Sequence, residues 1–152
     1  MAIAIDFQNT SEATDLPGET EFQRWAEMVL QGRRQQAELT IRLVDEDESQ
    51  RLNREFRGQD RPTNVLSFPA EVPDFVGSEL LGDIVICAPV VQREAEVQGK
   101  SLPAHWAHMV VHGTLHLLGL DHQSDPEASA MEQVEVKILR KLGFSDPYLD
   151  DR

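Results

Sequence analysis

The strongest constraint on the fold is an apolar segment that carries several histidines and ends in His-Gly-Thr-Leu-His-Leu-Leu-Gly-Leu-Asp-His at positions 112–122. Residues on a helix follow one another at steps of about 100°, which aligns four histidines in one narrow stripe: His105, His108, His112 and His116. Most other positions of the segment are apolar, and a helix that is apolar on nearly all sides is buried. We therefore predict a buried central helix from Pro103 to Gly119, with a site along its histidine stripe.

The spacing of the histidines indicates a metal site. His112 and His116 are four residues apart, which places their Cβ atoms about 5–6 Å from each other on a helix. Because Gly119 allows the chain to reverse, His122 can return towards the same ion. Three histidines without an evident fourth ligand leave a coordination position for water, as in catalytic zinc sites. The alternative is a set of packed core histidines, which this combined spacing disfavours.

The same segment resembles the signature of the metzincin proteases, with one difference. In that signature the residue after the first histidine is a glutamate that acts as the general base. Here the position is Gly113, which cannot transfer a proton. The sequence therefore favours hydrolysis of another substrate over a peptidase, and it leaves the general base open. Cys87, the single cysteine, ends an apolar run, so we expect a buried strand residue there and not a fourth ligand.

The charge of the chain restricts its partners. With 14 basic and 27 acidic residues, the formal net charge is −13, which argues against indiscriminate nucleic-acid binding. Four arginines nevertheless fall within positions 49–61: Arg51, Arg54, Arg57 and Arg61. Such a local positive pocket is compatible with recognition of particular phosphates. A solvated helical face with alternating charges accounts equally well for Arg51 and Arg54.

Hydropathy and cysteine content indicate a cytoplasmic protein. The longest apolar stretches are far shorter than the roughly 18 residues of a membrane span. The N-terminal residues lack the pattern of a secretory signal. A single cysteine excludes an internal disulfide and fits a reducing compartment.

Periodicity predicts an α+β domain in which a small, mixed, four-stranded sheet packs with about five helices. Strands are predicted at residues 2–7, 39–44, 64–68 and 81–87. Helices are predicted at residues 19–30, from Asp45 or Asp47 to Gly58, and at 89–98, 103–119 and 125–143. The acidic tail from Ser145 to Arg152 is expected to fray.

A second segment with binding potential reads Phe-Arg-Gly-Gln-Asp-Arg-Pro-Thr-Asn-Val-Leu-Ser-Phe-Pro at positions 56–69. It forms a polar connection between a helix and a strand, a common location for binding residues. Arg57 can present a planar fork to two phosphate oxygens. Short donors follow it: Thr63, Asn64 and Ser67. A turn stabilised by Asp60 and Asn64 would explain this composition about as well.

Taken in order, the block at 56–69, Leu-Gly-Asp-Ile at 81–84 and the histidine block at 108–122 resemble the YbeY family of bacterial metal-dependent endoribonucleases. The resemblance implies one metallo-endoribonuclease domain over residues 1–152. It further implies that His112, His116 and His122 hold one zinc-type ion per chain, with Arg57 in the same cleft. Nickel, cobalt or copper would also bind three imidazoles.

The function implied by the resemblance is single-strand-specific RNA cleavage, with Arg57, His112 and His116 as the catalytic residues. Its context would be processing of the 16S ribosomal RNA 3′ end and ribosome maturation and quality control, with ribosomal RNA and small-subunit components as partners and neither DNA nor a membrane involved. Two alternatives remain: a non-catalytic ribosome-assembly factor with a structural metal, and a metallohydrolase of peptide or amide bonds. The roles of His108 and Asp83 and the oligomeric state stay open.

Overall fold

A four-stranded mixed sheet forms the centre of the protein in the computed structural model, which describes residues 2–71, 79–121 and 123–149. In chain order its strands are β1 (Ala2–Asn9), β2 (Gln36–Val44), β3 (Val65–Pro69) and β4 (Leu80–Cys87). The spatial order is β1-β2-β4-β3, in which β1, β2 and β4 are parallel and β3 is antiparallel to β4. The predicted mixed four-stranded sheet is therefore confirmed, and the apolar strand that ends at Cys87 is central, as its composition indicates.

Five helices accompany the sheet in the described part of the chain, which confirms the predicted number. They are α1 (Glu19–Leu30), α2 (Glu46–Arg57), α3 (Ala88–Gln98), α4 (Leu102–Leu117) and α5 (Asp125–Lys141). Ser101 and Ser124 cap α4 and α5, because their hydroxyl groups accept hydrogen bonds from backbone N–H groups in the first turn. Asp45 precedes α2 without capping it through its side chain; its carboxylate accepts a hydrogen bond from the backbone N–H of Glu12 instead.

The two faces of the sheet are covered unequally. Successive side chains of a strand point to opposite faces, so the apolar positions of β2 and β4 divide between two clusters. The larger cluster joins one face to α1, α4 and α5, and includes the fully buried Phe22, Trp25 and Trp106. Among the described residues, the other face buries a smaller cluster: Val44, Leu66, Val85, Cys87 and Val90. Further side chains of this second face line a cleft: Gln8, Thr40, Arg42 and Asp83.

Gly82 determines how β3 lies against β4. Its φ is +137°, a conformation that side chains rarely adopt, and it pairs with Pro69 at the end of the β3–β4 ladder. A Cβ atom at this position would lie 2.2 Å from the carbonyl oxygen of Phe68 and 2.9 Å from the backbone nitrogen of Ala70. The edge strand can approach β4 this closely only because residue 82 has no side chain.

The substitution Gly82→Ala is expected to destabilise the protein by more than 3 kcal/mol, roughly the sum of backbone strain and a collision with backbone atoms. Gly99→Ala is the matched control, since Gly99 also has a positive φ of +67° but nothing lies within 4 Å of the added Cβ. That control should cost only about 1–2 kcal/mol. Urea denaturation measures both values, and equal losses would contradict the close-approach argument.

None of the helices in the described residues has both the length and the hydrophobicity of a membrane span.

Residues 150–152 of the acidic tail lie outside the described part of the chain. Before them, Asp146 is buried and the hydroxyl group of Tyr148 reaches the interior of the domain. The chain after α5 therefore contributes directly to the surroundings of the histidine helix.

Candidate functional site

The histidine stripe predicted from the sequence is present on α4. Ring centroids are 6.2 Å apart for His105 and His108, 6.3 Å for His108 and His112, and 4.7 Å for His112 and His116. His105 and His108 are buried, whereas His112 and His116 are partly exposed at the cleft. The stripe therefore runs from the interior of the protein to its surface, and its outer pair is accessible to a ligand.

Glu135, on the neighbouring α5, holds the middle of the stripe. This carboxylate is fully buried, with 0% of its side chain exposed. One of its oxygens lies 2.6 Å from Nδ1 of His112. The other oxygen accepts a hydrogen bond from the Tyr148 hydroxyl group and lies 3.4 Å from Nε2 of His108. The carboxylate thus connects α4, α5 and the chain after α5.

The protonation states around Glu135 follow from its burial and its partners. Burial raises the pKa of the Glu135 carboxyl, but hydrogen bonds and charges from His108 and His112 outweigh this effect and lower its pKa to about 2. An ionised carboxylate only accepts hydrogen bonds, so a neutral His112 carries its proton on Nδ1. Burial also lowers the pKa of His108. Because the Tyr148 hydroxyl group donates to Glu135, it accepts from Nε2 of His108, which lies 3.0 Å away.

These contacts fit a metal-binding role for His112. A neutral histidine whose Nδ1–H donates a hydrogen bond to a carboxylate presents Nε2 in the unprotonated form that coordinates metals, and a carboxylate partner of this kind fixes the orientation of the ring. His116 lies beside it on the same wall of the cleft. His122, the third predicted ligand, lies outside the described residues. Among the residues that are described, no group of three or more His, Cys, Asp or Glu side chains is arranged to hold an ion.

Glu135 and Tyr148 were not identified from the sequence. Glu135 lies four residues after Met131 and four before Leu139, two buried core positions of α5. A charged residue in the middle of an apolar helical stripe was therefore the available signal, because an isolated buried charge is costly and requires partners. The sequence around Tyr148 contains no comparable pattern that would have identified this residue. Its partners are 13 and 40 residues away, and nothing in the local pattern relates them.

Gly113 occupies the position of the metzincin base, and the structure shows why no side chain fits there. A Cβ atom at Gly113 would lie 2.8 Å from Cγ2 of Ile84 and 3.3 Å from Oγ of Ser67. The Ser67 hydroxyl group donates a hydrogen bond of 3.1 Å to the Gly113 carbonyl. Position 113 consequently faces the sheet and not the cleft, so a glutamate at this position of this helix would have no access to a substrate.

The histidine pair opens onto a cleft of about 1320 Å³. Side chains on the second face of the sheet form its floor, α2 forms one rim, and β3 forms the wall towards α4. The lining residues predicted from the sequence are Arg57, Thr63, Asn64, Ser67, Asp83, His112 and His116. The structure therefore brings together the two separate blocks of sequence that contained the candidate site residues. Asp83 lines the cleft, but no hydrogen bond joins it to either imidazole in the described part of the structure.

Arg57 differs from the other arginines near it. Arg42, also in the cleft, is held by Glu48 through two hydrogen bonds of 2.8 and 3.1 Å. Arg54 pairs with Asp60 at 3.4 Å on the exposed side of α2. Arg57 lines the cleft and forms no hydrogen bond or ion pair with any described residue. Among the described residues that line the cleft, its guanidinium group is thus the positive charge available to a ligand.

The connection between α2 and β3 is fixed by two buried polar side chains of α2. The hydroxyl group of Ser49 donates to the carbonyl of Thr63 and accepts from its N–H group, both at 3.0 Å. The amide of Asn53 donates to the carbonyl of Arg61 at 2.8 Å. Asp60 and Asn64, which the alternative explanation of this segment invokes, contribute as well: Oδ1 of Asp60 accepts from the Gln50 amide at 3.0 Å, and Oδ1 of Asn64 accepts from the backbone N–H of Val65 at 2.6 Å. The loop wall of the cleft is therefore anchored to the adjacent helix.

Asn64 is oriented by a polar chain that begins at the inner end of the histidine stripe. Nε2 of the buried His105 lies 2.9 Å from Glu94 on α3, and the amide of Asn64 donates to the same carboxylate at 3.2 and 3.3 Å. Burial raises the pKa of Glu94, but hydrogen bonds from His105 and Asn64 outweigh it and lower the pKa below its ordinary value. The ionised Glu94 thus connects α4 to the wall of the cleft.

The substitution Glu94→Gln is expected to cost about 1 kcal/mol of stability at neutral pH, since it weakens hydrogen bonds to a charged acceptor. The pKa of this carboxyl group is lower in the folded protein than in the unfolded chain. The group therefore stabilises the fold when the pH is above its unfolded-state pKa, and this contribution is lost as the pH falls through its folded-state pKa. The difference between wild type and Glu94→Gln should therefore shrink as the pH falls below 4.5. Glu96→Gln, an exposed change of the same charge on the same helix, is the control in urea titrations across this range. A difference that is constant with pH would contradict the assigned role.

Comparison with known proteins identifies the family of the chain. The family model described as Endoribonuclease YbeY matches residues 5–143. The chain is also similar to the solution structure of TM1509 from Thermotoga maritima, with 28% sequence identity and a TM-score of 0.62; the match covers 97% of this chain and 91% of that one. Because the family match spans most of the sequence, the chain belongs to the YbeY endoribonuclease family, which the sequence blocks had indicated. Its class is thus that of a hydrolase acting on RNA in ribosomal RNA processing.

Proposed function

We propose that the protein is a zinc-dependent endoribonuclease that cuts single-stranded RNA in the cleft between α2 and α4, with His112, His116 and His122 as the metal ligands. The observation that carries this proposal is the lining of one cleft by both the His112–His116 pair and the available guanidinium group of Arg57. The family to which the chain belongs supplies the substrate class and is metal-dependent in general. Residues 1–152 would then form one metallo-endoribonuclease domain.

Glu135 and Arg57 have separate tasks in this proposal. Glu135 fixes the tautomer and orientation of His112 through the contact of 2.6 Å at Nδ1. Arg57 binds a phosphate through two parallel N–H···O hydrogen bonds and stabilises the negative charge that grows on it during cleavage. When bound, a zinc-type ion would supply Lewis-acid chemistry, acidifying a water molecule and polarising a phosphoryl oxygen.

The acidity of the chain bears on which RNA is bound. A net charge of −13 repels nucleic acid at long range, so affinity must come from specific contacts or from a partner. We infer that the substrate is the 3′ end of 16S ribosomal RNA in the small subunit, where basic ribosomal proteins would offset this repulsion. A substrate of this kind places the activity in the cytoplasm.

The test of the proposal is cleavage of a labelled RNA fragment from the small subunit by the purified, zinc-loaded protein. Arg57→Ala should lower the rate of cleavage by about 100- to 1000-fold, the usual loss on removing one donor that stabilises the transition state. Arg57→Lys should recover only part of this rate, because lysine lacks the planar fork. Arg54→Ala is the control, since it removes the same charge one turn away, outside the cleft.

Two further arms separate the alternatives. Cleavage should be lost with a chelator and in a folded His116→Ala variant. Full cleavage in Arg57→Ala would remove this residue from the mechanism, and cleavage that survives chelation would reveal a contaminating nuclease. The absence of any RNA cleavage, together with unfolding on chelation, would favour the assembly factor with a structural metal. Cleavage of casein instead of RNA would favour the metallohydrolase of peptide bonds.

Metal affinity gives an independent test of Glu135. Glu135→Gln is nearly isosteric, but the amide has no negative charge and only one oxygen that can accept hydrogen bonds. Loss of such a carboxylate typically weakens metal binding by about 10- to 100-fold. Competition with a chromophoric zinc chelator measures the dissociation constant, and circular dichroism checks the fold. Glu132→Gln, on the same helix, is the matched control. An unchanged affinity in Glu135→Gln would show that His112 does not depend on this carboxylate for binding.

A further inference from the structure

Phe56 is an exposed aromatic residue in the cleft, with 64% of its surface accessible. Single exposed apolar side chains are common on protein surfaces and need no explanation by themselves. The other large apolar side chains that are exposed in the described residues are Leu80, Val97 and Leu149, none of them aromatic and none lining the cleft. Phe56 therefore combines an aromatic ring, exposure and proximity to the candidate site.

The Phe56 ring contacts a second aromatic ring, that of Phe68. Leu52, one turn earlier on α2, packs against the small cluster on the second face of the sheet, and so does Phe68 on β3. The ring of Phe68 meets that of Phe56 edge-on, with centroids 5.1 Å apart and an angle of 70° between the planes. Contacts of this geometry orient an aromatic ring and lower the entropy lost when a ligand packs on it.

The surroundings of the ring decide which ligand suits it. Arg57, the next residue, offers the available positive charge of the cleft, while carboxylates of Glu71, Asp83 and Asp121 also line it. A neutral, flat group attached to a phosphate fits this combination, since the flat group is not repelled by carboxylates and its phosphate can reach the arginine. An unpaired nucleobase of RNA has this chemistry and stacks on aromatic side chains whatever its sequence.

We propose that Phe56, backed by Phe68, is a stacking platform for one unpaired nucleobase of the RNA, next to the phosphate that Arg57 binds. The inference rests on the proposed function, because it assumes that RNA occupies this cleft. It adds a physical basis for single-strand specificity, since a base inside a duplex is already stacked on both faces and cannot reach the ring.

The experiment measures binding in the presence of EDTA, which separates it from cleavage. Fluorescence anisotropy follows a fluorescein-labelled single-stranded RNA of mixed sequence as it binds wild type, Phe56→Leu, Phe56→Trp and Val97→Ala. Loss of one stacked base weakens binding by roughly 5- to 150-fold, which is the effect expected for Phe56→Leu. Phe56→Trp should retain the affinity. Val97→Ala changes an exposed apolar residue outside the cleft and should bind like wild type.

A set of the same RNA with single abasic nucleotides identifies the stacked base. At one position, removal of the base should weaken binding to wild type by the factor that Phe56→Leu shows, and should weaken binding to Phe56→Leu no further. Undiminished binding by Phe56→Leu, or an equal loss at every abasic position in both proteins, overturns the platform. A Phe56→Leu variant that binds RNA normally but loses affinity for ribosomal proteins overturns it as well.

The inference and the proposed function fail in different ways. If Phe56→Leu binds like wild type while Arg57→Ala still loses cleavage, the platform is wrong and the proposed function stands. If wild type binds no single-stranded RNA, both are overturned. Duplex RNA of the same sequence provides the last arm: it should bind wild type and Phe56→Leu with the same affinity, and a loss for duplex as large as for the single strand contradicts base stacking.

Discussion

The buried carboxylate of Glu135 is the interaction on which the candidate site depends. An ionised carboxylate without solvent is tolerated only when it is paired and hydrogen-bonded, and here His112, His108 and Tyr148 surround it. These partners come from α4 and from the chain after α5, so one charge aligns three parts of the fold. The same hydrogen bonds therefore compensate the buried charge of Glu135 and orient the ring of His112.

The site also depends on the unequal coverage of the sheet. One face carries nearly all of the core, and the other buries only a small cluster next to α2 and α3. Because α2 stands at the rim of this second face, the end of the helix places Phe56 and Arg57 in the lining of the cleft. The wall opposite is β3, which can lie against β4 because Gly82 has no side chain. The cleft thus lies where the small cluster on the second face of the sheet ends.

The parts of the structure with a local signal could be predicted from the sequence. The apolar spacing of α1 yields its bounds, Glu19–Leu30, and the histidine stripe of α4 follows from helical geometry alone. The position of Arg57 in the same cleft as His112 was expected through the resemblance to the YbeY family. The bonds of Ser49 and Asn53 to the loop, and of Tyr148 to Glu135, connect residues that share no local pattern. Such contacts are set by tertiary packing, which periodicity does not describe.

The close approach of α4 to the sheet at Gly113 has a consequence for the width of the cleft. Helix and strand meet there through a hydrogen bond from Ser67 to a backbone carbonyl, with Ile84 directly beneath. The Ile84 side chain and this hydrogen bond hold the two elements close together, so their packing sets the spacing between the histidine pair and the β3 wall. Under the proposed function, an RNA single strand would bend to suit an opening of fixed width, whereas a base-paired helix would bring a width of its own.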